Sequence, residues 1–201
     1  VHVVSSVKFA LKAQESGVGA IVAEGFEAGG HNGREETTTL TLIPLVKKAI
    51  NIPLIAAGGI GSGAAMLAVM ALGAEGVQVG SRFVATHEAS SHPHFKQAVI
   101  KAQQGDTELT LKEVTPVRLL KNPFYQKIKA HYQEGASPEQ LQEALGRGRA
   151  KKGMFEGDLV EGELEIGQVA AQIESILPAA AVVKEFVETY HLTLATLSKI
   201  N

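Results

Sequence analysis

The chain of 201 residues carries 19 Lys and Arg against 21 Asp and Glu, a formal charge of −2, and 45% of it is hydrophobic. At roughly 100–200 residues per domain this is one domain, or one with an appendage, and the near balance of charge removes the electrostatic motive for wholesale nucleic-acid binding. No apolar run approaches the ~20 residues of a membrane span, residues 1–20 lack the layout of a signal peptide, and zero cysteines exclude disulfide scaffolds, thiol nucleophiles and thiolate metal sites, so the expectation is a cytoplasmic protein whose chemistry comes from other side chains or a cofactor.

From residue 1 to about 86, short β-branched runs alternate with helical patterns, the signature of βα units around a parallel sheet. Residues 1–4 form a first strand, followed by a helix over 7–15 that Gly17 stops. A second strand at 20–23 leads into a long Gly-rich loop. The threonines at 37–39 and 41 with Pro44 then mark a helix start, completed by 45–50. A third strand lies at 53–56, a helix at 64–72 and a fourth strand at 76–79. All four strands are nearly all apolar, as strands covered on both faces are. Beyond Thr86, helical stretches at 95–103, 123–133 and 138–145 alternate with polar turns, and apolar helical patterns return at 168–177 and from Pro178 to about Tyr190. The predicted organisation is a sheet domain over 1–86, a mostly helical appendage over 87–165, and C-terminal helices over 166–201 that pack back on the sheet domain.

Three strand ends carry glycines: Gly29 and Gly30 after the second, Gly58 and Gly59 after the third, Gly80 with Ser81 after the fourth. Ligands of parallel α/β folds bind at that edge, where glycine lets backbone N–H groups approach an anion. Gly58/Gly59 and Gly80/Ser81 together would make a phosphate cradle shared by adjacent loops, as after the last two strands of a (β/α)₈ barrel. Any one pair is equally at home in a tight turn; three in register favour a ligand. Gly59-Ile60-Gly61-Ser62-Gly63-Ala64 also satisfies a dinucleotide fingerprint. The following strand, however, ends in Gly80-Ser81-Arg82 with no carboxylate for a ribose, leaving Arg82 to meet a 2′-phosphate in that alternative.

His31, in the loop EGFEAGGHNG (24–33), is the candidate general base, the alternative being a surface histidine that caps a loop. Glu24 at the strand end is placed to accept from a sugar hydroxyl or a ring N–H, or else is a solvated acid. His92-Pro93-His94 lacks helical i,i+4 spacing and an acidic partner, so it reads as a turn and no metal site is predicted. Arg147, Arg149, Lys151 and Lys152 read as a solvated loop or, alternatively, an anion-docking patch.

The strings EGFEAGGHNG (24–33), IPLIAAGGI (52–60), GVQVGSRFVAT (76–86) and EGELEIGQVA (161–170) together resemble the family of FMN-dependent nitronate monooxygenases, formerly 2-nitropropane dioxygenases, and flavin-dependent enoyl-ACP reductases. The resemblance implies a TIM-barrel type of α/β fold, here about four βα units of its C-terminal half, with a small helical domain over the barrel mouth. It implies FMN as cofactor, with its phosphate on Gly58, Gly59, Gly80 and Ser81, and Glu24, Gly29 and Gly30 at the flavin-contacting strand end. His31 takes the place of the active-site histidine. His2-Val3-Val4-Ser5-Ser6 has no lysine where many nitronate monooxygenases carry one, and in this it resembles the reductases. Four βα units leave open sheet edges, so the remaining half of the barrel is expected from another segment or from self-association. Three functions follow: oxidation of nitronates or nitroalkanes with O₂; reduction of an enoyl thioester with NAD(P)H, the basic run docking an acidic carrier; or a non-catalytic fragment that binds a phosphate ligand.

Overall fold

The alternation of apolar runs with helical patterns folds as βα units. The computed structural model describes residues 1–199, so the last two residues of the 166–201 segment lie outside the described residues. In chain order, β1 (His2–Val4), α1 (Val7–Glu15), β2 (Ile21–Glu24), a two-residue β3 (Gly30–His31), α2 (Thr39–Ala49), β4 (Leu54–Ala57), α3 (Gly63–Ala71) and β5 (Gly76–Gln78) make up the first part. β1, β2, β4 and β5 form one parallel sheet in that order, in register through pairs such as Val3↔Val22, Val22↔Ile55 and Ile55↔Gly76. All four C-terminal ends therefore meet at one edge.

Only the inner strands match the expectation of cover on both faces. β2 and β4 are largely buried, whereas Val3 of β1 is 46% exposed and no residue of β5 is fully buried. The outer strands have a neighbour on one side alone. Beneath the sheet, Ile21, Leu42, Ile43, Val46, Leu54 and Val69 form the main core with α1, α2 and α3.

α1 begins where predicted because its cap is local: the Ser6 side chain accepts from Phe9 N. α2 starts five residues before Pro44, which lies inside the helix rather than at its first turn. Its cap is remote. The Glu27 carboxylate, twelve residues upstream, accepts from Thr39 N at 3.0 Å, and a carboxylate at a helix N-terminus also meets the favourable end of the dipole.

α4 (Ser81–Val84) and α5 (Pro93–Ile100) follow, then β6 (Thr107–Thr110) and β7 (Val117–Leu120), two strands absent from the sequence reading. β6 and β7 pair antiparallel, and β7 accepts β3 on its other edge, giving a second sheet of order β3-β7-β6. The Gly-rich loop thus reaches out of the parallel sheet to become an edge strand of this one. α6 (Pro123–Gln133), α7 (Pro138–Leu145) and α8 (Arg149–Met154) complete the segment around Leu119, Phe124, Ile128 and Leu141. The predicted helix at 168–177 is a short 3-10 helix (Gln168–Gln172), after which the chain is extended and bridges Thr86 through Leu177. Ile173 is buried there between the units. α9 (Ala179–Leu197) returns to the parallel sheet and packs on α3, where Gly63 N donates to Thr189 Oγ1 at 3.0 Å. Among the described residues no helix is long and apolar enough to cross a membrane.

Candidate functional site

At the C-terminal edge of the parallel sheet lies a cavity of about 210 Å³. Glu24, Gly29, Gly58, Gly59, Gly80 and Ser81 line it, so loops distant in sequence converge as their strand ends predict. Gly58 and Gly59 have φ of +86° and +70°. Those angles are strained for any residue with a Cβ, and a Cβ on Gly58 would also press on the Gly25 backbone. Gly80 is different: a Cβ there would meet nothing within 4 Å, because it faces the open space of the cavity. The N–H groups of Gly59, Gly80 and Ser81 donate to no protein acceptor among the described residues. Free donors from two adjacent loops, bordering one cavity, suit an anionic group such as a phosphate.

The rest of the lining is acidic. Glu24, Glu27 and Glu165 border the cavity, and no lysine or arginine does. The three carboxylates differ in their company. Glu27 is committed to α2, since Thr39 donates to it from both N and Oγ1. Glu24 has its carboxyl pushed above the ordinary range by burial alone. Burial raises Glu165 as well, and the positive charge of His31 pulls it partly back.

The segment 163–167 closes one side of this site. Leu119 bridges to Glu165 and Leu120 N donates to Leu164 O at 2.9 Å, which fastens the segment to β7. On its other side, Gly167 N donates to Ser81 Oγ and Gln168 N to Glu27 O, each at 2.9 Å. Gly29 lies directly under it, where any Cβ would collide with the Ile166 backbone. Glu163, one of the few buried charged residues, has its carboxyl pushed up to about 7, first by burial and then by the charge of Glu165, with Arg149 opposing.

His31 and Gly30 do not line the cavity. His31 is exposed on β3, paired with Val117, and Gly30 is buried opposite Arg118. Arg118, 2% exposed, anchors this loop: its guanidinium donates to Phe26 O from Nε and Nη2 at 3.2 and 3.1 Å and stacks 4.4 Å over the Phe26 ring. Sequence reading missed Glu27, Gln78, Met154, Glu165 and Arg118. For Glu165 a signal existed in Glu163-Leu164-Glu165-Ile166, whose polar and apolar alternation has the period of a strand.

Three other readings resolve. Arg82 is buried and donates to Ala85 O and Ser175 O, so it is held away from any 2′-phosphate, and a Cβ on Gly63 would strike the α9 backbone. The fingerprint glycines at 61 and 63 serve packing instead. His92 caps α5, accepting from His94 N, and no cluster of three metal-binding side chains occurs among the described residues. In the basic run, Arg149 donates to Glu161, Lys151 pairs with Glu156 and Lys152 with Asp158. Three of the four cations of that run are thus paired within the chain.

The sequence model of the family described as nitronate monooxygenase matches residues 1–189. The probable nitronate monooxygenase of Staphylococcus saprophyticus is 35% identical over 163 residues, 74% of this chain and 46% of that protein. That of Bacillus subtilis is 40% identical over 113 residues, 53% of this chain and 33% of that protein. Among solved structures, FabK from Thermotoga maritima superposes with a TM-score of 0.90 at 40% identity, covering 98% of this chain and 62% of that one. The nitroalkane oxidase from Streptomyces ansochromogenes superposes at 0.80 with 27% identity, covering 96% and 58%. The chain therefore spans about half or less of the length of these curated relatives.

Proposed function

The chain belongs to the nitronate monooxygenase family, and on that premise we propose that it forms the phosphate-binding and proton-accepting side of an FMN-dependent oxidoreductase that oxidises nitronates and nitroalkanes with O₂. The observation that carries this reading is the cavity where the free N–H groups of Gly59, Gly80 and Ser81 meet, with the His31 loop at its border. Those donors fit the FMN phosphate, and Gly80 leaves room for it. The acidic side of the cavity, with Glu24, fits groups that donate: sugar hydroxyls and a ring N–H. Gly29 brings backbone close to the same end, whereas Gly30, paired with Arg118, stands outside the lining. When bound, FMN supplies the electron chemistry, taking electrons from the nitronate and passing them to O₂. The chain's own residues position the partners and move the proton. His31, exposed and therefore accessible to substrate, accepts the α-proton of a neutral nitroalkane.

In the FMN-loaded protein, His31→Ala should abolish turnover of the neutral nitroalkane and spare the preformed nitronate. Equal loss on both substrates refutes the base assignment. A well-folded protein that binds no FMN would favour the non-catalytic, phosphate-binding reading.

Enoyl-ACP reduction with NAD(P)H is the second reading. It draws on His2-Val3-Val4-Ser5-Ser6, which lacks a lysine, and on the Thermotoga FabK structure, more similar in sequence and shape than the nitroalkane oxidase. Carrier docking through residues 147–152 loses support, because Arg149, Lys151 and Lys152 are paired internally. Anaerobic bleaching of the flavin by NAD(P)H, with consumption dependent on an enoyl thioester, would put this reading first.

The parallel sheet is read as a section of a TIM barrel. Its open β1 edge, with Val1 80% and Val3 46% exposed, and the exposed Val183, Val187 and Leu194 on α9 are the surfaces that further strands and helices, or a second copy, would cover.

A further inference from the structure

We propose that Glu165 is the positioning residue for His31, a carboxylate built into the same sheet edge to offset the positive charge the imidazole gains when it accepts a proton. This rests on the reading of His31 as the base.

The placement is set by backbone pairing. β6 occupies one edge of β7. Along the other edge, Val117 faces His31, Arg118 faces Gly30 and Leu119 bridges to Glu165. Consecutive residues of one strand thus hold the histidine loop and the acid next to each other, although 134 positions separate them in sequence. Groups fixed by ladder hydrogen bonds hold their geometry better than groups on free loops. The Glu165 side chain runs back over the intervening residue: its Oε2 lies 2.8 Å from where a Cβ on Gly30 would stand. Gly30, at φ +76°, leaves that space to the carboxylate.

The electrostatics agree. Burial raises the Glu165 carboxyl and the charge of His31 lowers it, while the charge of Glu165 raises Glu163. Arg149 acts on Glu163. No lysine or arginine lines the cavity beside Glu165, and His31 is the cation that lowers its carboxyl. In the step itself, a ring nitrogen of His31 takes the α-proton of the nitroalkane and the C–H electron pair moves onto the nitro group to give the nitronate. The ring becomes imidazolium. Glu165 exchanges no proton; it supplies a fixed negative charge for the imidazolium from the same edge of β7 that holds His31.

The test has two parts. Carboxyl ¹³C titration of Glu165 should show a higher midpoint in His31→Gln than in the wild type; coincident curves overturn the pairing. In the FMN-loaded protein, Glu165→Gln should lower kcat on the neutral nitroalkane by roughly tenfold or more, the scale for removing a group that orients and charges a catalytic imidazole, with KM little changed. Glu165→Asp should recover part of that loss, and turnover of the preformed nitronate, compared at saturating FMN, should fall by much less than turnover of the neutral nitroalkane. Equal loss on both substrates overturns the proposal. A coupled titration together with His31→Ala that spares both substrates upholds the pairing and refutes His31 as the base.

Discussion

Gly29→Ala offers the sharpest test of how the site is closed. A Cβ at position 29 would stand 2.6 Å from Ile166 Cα and nearer still to the Ile166 carbonyl carbon and Gly167 N. All three are backbone atoms, so no rotamer relieves the overlap. The nearest of them, the Ile166 carbonyl carbon, is at 2.3 Å, so to reach the 3.4 Å at which ordinary contact begins the segment 163–167 has to retreat by at least about 1.1 Å. Taken along the Gly167 N to Ser81 Oγ and Gln168 N to Glu27 O bonds, that movement stretches them from 2.9 Å to about 4.0 Å, past hydrogen-bond distance. Two lost bonds at about 1 kcal/mol each and an overpacking cost of about 1–3 kcal/mol give about 3–5 kcal/mol. This is a large share of a typical total of 5–15 kcal/mol. In urea, with a slope of about 2 kcal/mol per molar, the midpoint should fall by roughly 2 M. Gly19→Ala, where a Cβ meets nothing within 4 Å, is the control and should leave the midpoint in place. A Gly29→Ala midpoint within about 0.5 M of the wild type at unchanged slope would refute the argument that the segment is clamped on Gly29.

Gly80→Ala should separate binding from stability: the added methyl meets no protein atom, so unfolding should move by less than about 0.5 kcal/mol. FMN affinity, measured by fluorescence quenching, should nevertheless weaken about tenfold or more as the phosphate is pushed off its donors, and unaltered binding would remove Gly80 from the cradle. Arg118→Ala leaves Phe26 O without its two donors and empties a buried stem, for an expected loss of about 3 kcal/mol by chemical denaturation; a change below about 1 kcal/mol would show that Arg118 does not anchor the loop. Glu163 predicts a pH dependence. Its folded carboxyl titrates near 7 rather than at the ordinary 4.5, so between those values the folded state keeps a proton that the unfolded chain has released. Its penalty is absent below about pH 4.5 and stability declines as pH rises toward 7. Glu163→Gln should flatten that decline between pH 5 and 8, and parallel wild-type and mutant profiles would contradict the assignment.

Much of the parallel sheet and its glycine-bearing edge is legible in the sequence, because the signals involved are local. α1, α6 and α7 occupy the predicted spans since Ser6, Asn122 and Ser137 cap them from within a turn, the last two followed by Pro. Glu24, Gly29, Gly58, Gly59, Gly80 and Ser81 share one cavity because parallel strands bring all their C-terminal ends to one edge.

What only the tertiary structure decided depends on partners far along the chain. α2 begins at Thr39 because Glu27 reaches it from another loop, and the β6–β7 pair grows into a larger sheet because β3 and the Glu165 segment share the other edge of β7. His31 stands beside the cavity rather than in its wall for the same reason: its backbone is paired to Val117, 86 residues on. Helix caps and glycine turns act over a few residues and leave a mark in the local sequence. Strand pairing, remote capping and the burial of Arg118 and Glu163 are satisfied by hydrogen bonds and packing between distant segments, and no window of sequence contains both partners.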